Sequence, residues 1–367
     1  MRVAAIFLIV IFLFMTPMPI YAEGELKDIY DSLPNGVGEL LPEDFGDKVE
    51  KENGTSAVKL LDVPFFFSFL GRSLSVALSD TAPLVLSLTA AVLICALLSS
   101  LSNENLTVGR VMSFASSVCL CSSCISVIKP LTDQCLGTIK VISGIIKTSL
   151  PIMTAVSLSS GQVNAAAANA TFLNATLALT EEIGKSVLSP LIAVSLGFTA
   201  VSALSQGSGI DLTRMVASVK KVFIFLISLL SSVLCITMAF QTVIAKGSDT
   251  ILLRSIKFAS GTSIPIVGSA LSEAAGTYLS GLSLIKSSAG ALIAAVIALA
   301  TLPMLLKLFA VKICLTFVAF ISDILGVKGA VVRDFTYVCD MLIAMLVTSS
   351  LIFVISMGLF ASVLPSV

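Results

Sequence analysis

The chain contains no histidine and no tryptophan, and only 12% of its 367 residues are charged. Without histidine there is no Ser-His or Cys-His nucleophile pair, no His-ligated metal and no imidazole proton relay near neutral pH. With so few charges the chain cannot cover a water-facing surface, which in soluble domains takes about a quarter of the residues. A phosphate-binding loop is missing too. GSGIDLTR and SGTSIPIVG lack the Lys-Ser/Thr ending or the strand-to-helix setting such loops require, so the sequence does not read as an ATPase. Its basic residues are scattered between apolar runs and form no face for nucleic acid.

What is present is apolar. Hydrophobic residues make up 56% of the chain and the mean hydropathy is +1.05, which places it in a lipid bilayer. The formal net charge of zero hides an asymmetry. Eleven acidic and four basic residues between Glu23 and Asp62 give −7, whereas residue 63 onward carries eleven acidic and seventeen basic, giving +6.

The N-terminal residues account for this division. Arg2 precedes an apolar run from Val3 to Met15, and Pro17 and Pro19 break it before Tyr21-Ala22-Glu23. That is the layout of a signal peptide over residues 1–22, cleaved after Ala22, although a retained anchor fits the same run. Residues 23–82 then read as an acidic exocytoplasmic leader with short amphipathic helices. It is either a solvated lead-in or an acidic docking arm.

Residues 83–367 form the membrane domain. The expected fold is all-α: a polytopic helical membrane protein with broken or re-entrant amphipathic segments. Runs at 83–102, 111–128, 186–204, 222–245, 288–306, 308–326 and 341–364 approach the roughly twenty residues needed to cross hydrocarbon. The intervening region from 136 to 180 carries Lys140 and Lys147, seven residues apart and so on one helical face, with Pro151 as an expected break. Each charge at a helix centre costs about 2.5–3.5 kcal/mol on insertion scales, so this region reads as an amphipathic or re-entrant pair packed inside protein. Two further spans there stay open.

Several residues invite a chemical reading and are weighed against plain packing. Cys119, Cys121 and Cys124 lie in CLCSSC, but on a helix Cys119 and Cys121 point about 200° apart, so small packing residues are expected instead of a metal site. Asp323 and Asp340 would suit an aspartyl protease only if their carboxyls met at depth, and charge pairing at an interface is the better expectation. Downstream of Pro265, an apolar stripe through Leu271, Ala275, Tyr278, Leu282 and Ile285 lies beside a small polar stripe containing Gly276, Ser280 and Ser283, with Glu273 alongside. That second stripe suits close helix packing, a water-filled path around a buried carboxylate, or an interfacial helix.

The stretch RSIKFASGTSIPIVG, residues 254–268, carries the most distinctive pattern. Arg254 and Lys257 resist burial in lipid, while Gly261 and Pro265 turn the chain. Leu253-Arg254-x-x-Lys257-Phe258-x-x-Gly261-x-x-Ile264-Pro265-x-x-Gly268, followed by an apolar hairpin containing Pro303 and Lys307, resembles the stage III sporulation protein AE family of endospore-forming bacteria. The resemblance is specific over residues 245–310 and architectural elsewhere.

The resemblance implies a multi-pass protein of the mother-cell membrane around the forespore, with an exported N-terminus. It implies a subunit of the channel or feeding-tube complex linking the two cells and supporting late forespore gene expression. The implied partners are the other stage III sporulation A-operon membrane proteins and a forespore membrane channel partner. No enzyme activity, catalytic residue, metal or cofactor is implied. Arg254, Lys257, Gly261, Pro265, Glu273 and Ser280 are the candidate polar-path or partner contacts. The alternative is a self-contained secondary transporter, since broken segments around Pro151 and Pro265 would resemble the discontinuous helices of inverted-repeat carriers.

Overall fold

The computed structural model describes residues 63–100, 106–159, 163–205, 215, 217–229, 232, 267–326 and 330–361. Among these residues all regular structure is helical, as expected. The elements are α1 (Val63–Ser100), α2 (Leu106–Ser159), α3 (Val163–Ile183), α4 (Ser189–Ser205), α5 (217–229), α6 (Val267–Ile324) and α7 (Ala330–Ala361). A single turn of π-helix, Gly184–Leu188, joins α3 to α4 and is closed by the Ser189 N–H donating to the Gly184 carbonyl. The expected signal peptide and most of the acidic leader lie outside the described residues.

Five stretches are long and apolar enough to cross a membrane: Phe67–Leu97, Phe114–Ala155, Ala166–Val201, Leu292–Ile324 and Val331–Met357. Several differ from the hydropathy runs. The first helix starts at Val63 instead of 83, and α2 continues from the 111–128 run through both Pro130 and Pro151 to Ser159. The expected break at Pro151 is therefore absent. The runs at 288–306 and 308–326 are one helix, and the apolar hairpin expected around Pro303 and Lys307 does not form.

Two physical reasons explain the continuity of α6. Proline is tolerated in membrane helices where neighbouring groups re-satisfy the freed backbone. Lys307 donates to Asp80 of α1 at 2.9 Å, so its charge is compensated by a neighbouring helix. The turn comes later, at Leu325 and Gly326, where Gly326 takes a positive φ of 70° that glycine adopts without strain.

The helices pack in two apolar layers stacked along the bundle. One holds Leu120 and Cys124 of α2, Leu308 and Leu315 of α6, and Phe335 and Leu342 of α7. The other holds Ile142 and Ile146 of α2, Leu173 of α3, Ile297 of α6 and Phe353 of α7. Where the layers meet, α6 and α7 exchange a buried hydrogen bond between the hydroxyls of Thr301 and Ser350, 3.0 Å apart. α7 is the central element, with 78% of its spanning window buried against 28% for α1.

The outer surface is oily. Leu86, Leu97, Phe225, Ile313, Phe320 and Ile324 are each between 61% and 73% exposed. Water would reject so many large apolar side chains, whereas acyl chains solvate them, so this exterior fits the bilayer that the composition implies.

Candidate functional site

Charged residues inside a membrane bundle are costly and mark functional positions, so the ion pairs define the candidate site. The most connected one centres on Asp340, nearly three turns into α7. One carboxylate oxygen accepts from Lys220 of α5 and the other from Lys312 of α6. Tyr337, one helical turn before Asp340 and on the same face, lies under the Lys220 ammonium, which sits 4.8 Å from the ring centroid. A single carboxylate thus ties three helices together and leaves one lysine charge in excess.

This geometry is a clamp and an ionic centre. Both oxygens of Asp340 are engaged by cations, and the chain has no histidine to pass a proton to it. The low dielectric of the bundle strengthens each attraction but penalises any charge left alone. Asp323, the other carboxylate considered above, pairs with Arg333 across the α6–α7 turn. That pairing is the expected one. Asp340 is charge-paired as expected, its partners coming from α5 and α6.

A second ionic group links α2 to α3. Glu181 accepts from Lys147 at 2.7 Å and from the buried hydroxyl of Ser143. Lys147 thus has a protein partner for its charge, while Lys140 on the same face is exposed, and α2 and α3 form antiparallel helices instead of a segment broken at Pro151. In the CLCSSC stretch, Cys121 and Cys124 are buried in the apolar core while Cys119 is exposed, so the three thiols do not converge.

Arg254, Lys257, Gly261 and Pro265 lie outside the described residues. Glu273 and Ser280 lie on the N-terminal part of α6, seven positions apart and so on one helical face. Sequence reasoning missed the Lys220–Asp340–Lys312 cluster, although one signal for it was present: Lys312 and Asp340 are opposite charges at similar distances either side of the α6–α7 turn. Antiparallel helices bring such positions level.

With the bundle and its ionic centre in place, the sequence was compared with known proteins. The sequence model for stage III sporulation protein AE matches residues 55–363. The chain belongs to the stage III sporulation protein AE family. No curated protein and no solved structure matches it. The stage III sporulation protein AE family is one of sporulation membrane proteins and is not a known enzyme family. The match extends the likeness from residues 245–310 to nearly the whole chain, so it includes Lys220, Lys312 and Asp340 as well as the 254–268 stretch.

Proposed function

We propose that this protein is an integral membrane subunit of the channel complex linking mother cell and forespore, where it supports late forespore gene expression. The observation that carries this reading is the family match over residues 55–363. The apolar exterior of a multi-helix bundle is in keeping with it. In this reading the protein sits in the mother-cell membrane around the forespore with its N-terminus exported. Its partners are the other stage III sporulation A-operon membrane proteins and a forespore membrane channel protein.

The signal peptide (1–22) and an acidic exocytoplasmic leader after it belong to the same proposal, the leader now ending before the Phe67–Leu97 stretch instead of at residue 82. So does a partner-contact or polar-path role for Arg254, Lys257, Gly261, Pro265, Glu273 and Ser280. The transporter alternative rested on a pair of broken segments, and α2 runs unbroken through Pro151, so that pairing loses one member.

Crosslinking in sporulating cells tests the reading. The expected result is recovery of sister A-operon membrane proteins, together with no coupled solute uptake by the purified chain in liposomes. Robust uptake by the lone chain, with no crosslinked partner, would replace the subunit by a carrier.

A further inference from the structure

Between α2, the π-turn, α5 and α7 lies a trough of about 550 Å³, counting its open mouth. Ile227, Met345 and Ile352 give it apolar walls, and Lys140, Glu181 and Lys185 stand around it. Its charge balance is unequal. Glu181 is already engaged by Lys147 and Ser143, and Glu182, which does not line the trough, accepts from Ser186 at 2.5 Å. Lys140 and Lys185 are exposed and form no ion pair among the described residues.

Residues 186–210 carry no ionisable side chain, and at about 1.5 Å per residue the helical part, through Ser205, matches the ~30 Å of bilayer hydrocarbon. Lys185 immediately precedes that run. Lys140 lines the same trough. Two exposed ammonium groups, with one positive charge in excess over the neighbouring carboxylates, beside apolar walls with an open side match one kind of ligand well. We infer that the trough binds an anionic phospholipid, its phosphate between Lys140 and Lys185 and part of an acyl chain along Ile227, Met345 and Ile352.

The alternatives use only half of the features. A free inorganic anion would need the lysines but not the walls, and an apolar solute the reverse. The π-turn contributes directly. It places Gly184 on the trough, and a Cβ built there meets no atom within 4 Å, so the position is open space that a ligand can occupy. Turns of π-helix inside α-helices recur at functional sites for such reasons.

The absence of tryptophan makes the test clean. In purified full-length protein, Leu136→Trp places the sole indole at the trough, and brominated lipids quench it on contact. Brominated phosphatidylglycerol should quench it at about tenfold lower mole fraction than brominated phosphatidylcholine, from the attraction of two lysines near an anionic headgroup. The preference should vanish with Lys140→Gln plus Lys185→Gln, and also with Gly184→Leu, which keeps both lysines and fills the trough. A Val118→Trp reporter, on α2 but not lining the trough, should show no preference. Equal quenching by the two lipids at Leu136→Trp, or a preference that survives both sets of substitutions, would overturn the proposal. Inorganic phosphate that abolishes the preference as effectively as unlabelled phosphatidylglycerol would overturn it in favour of a free-anion site. If the double glutamine variant does not fold, Gly184→Leu alone decides.

Discussion

Asp340→Ala should be the most damaging single charge substitution in the described bundle. It leaves Lys220 and Lys312, each with roughly a quarter or less of its side chain exposed, facing one another with no anion between them. Removing one member of a buried ion pair costs about 3–5 kcal/mol, and the residual exposure makes this an upper figure here. Lys312→Met should cost less, because Asp340 keeps Lys220 and its place over Tyr337. Replacing all three together by apolar residues (Lys220→Met, Lys312→Met and Asp340→Leu) should recover much of the loss, since no charge is then stranded. Thermal unfolding in detergent followed by circular dichroism gives the order. If Asp340→Ala proves no worse than Lys312→Met, the three-helix clamp is not a stabilising element.

Phe353→Ala should have a comparable effect through packing. Phe353 is fully buried in the layer shared by α2, α3, α6 and α7. Hydrocarbon solvates helices as well as protein does, so association in a bilayer relies on close van der Waals contact, and a cavity loses that contact outright. Phe→Ala at buried sites costs about 3–5 kcal/mol. Phe320, on α6 but 61% exposed, is the matched control, and its alanine variant should fall within about 0.5 kcal/mol of the parent. The same unfolding experiment reads both. Equal losses at Phe353 and Phe320 would show that α7 is not the central helix of the folded state.

The membrane class and helical fold were legible because they depend on summed composition, which tertiary contacts do not alter. The charge on α2 was legible for a similar reason. Lys147 had to meet protein wherever it lay, and it meets Glu181. The division of residues 288–326 into two spans was not legible. Hydropathy sees Pro303 and Lys307 as interruptions, and the compensating Asp80 lies 227 residues away in sequence. The Asp340 cluster was hidden for the same reason, because Lys220 and Asp340 are 120 residues apart and neither looks unusual at the edge of an apolar run.

Merging two runs into α6 also changes the count of crossings. A continuous α6 offers one stretch long and apolar enough to cross the membrane between residues 292 and 324, and α7 offers the return. Two spans in that interval would put α7 in the opposite sense relative to α1. The ionic centre depends on the first arrangement, because Lys312 and Asp340 come level only if α6 and α7 form a single antiparallel hairpin about Leu325 and Gly326.

Single-cysteine accessibility along residues 288–330, in an otherwise cysteine-free chain embedded in membrane vesicles, tests that arrangement directly. A single crossing predicts one protected stretch from about residue 292 to 324, with impermeant reagent reaching its two ends from opposite sides of the membrane. Two protected stretches separated by a reactive turn near Lys307, with both ends labelled from the same side, would contradict it.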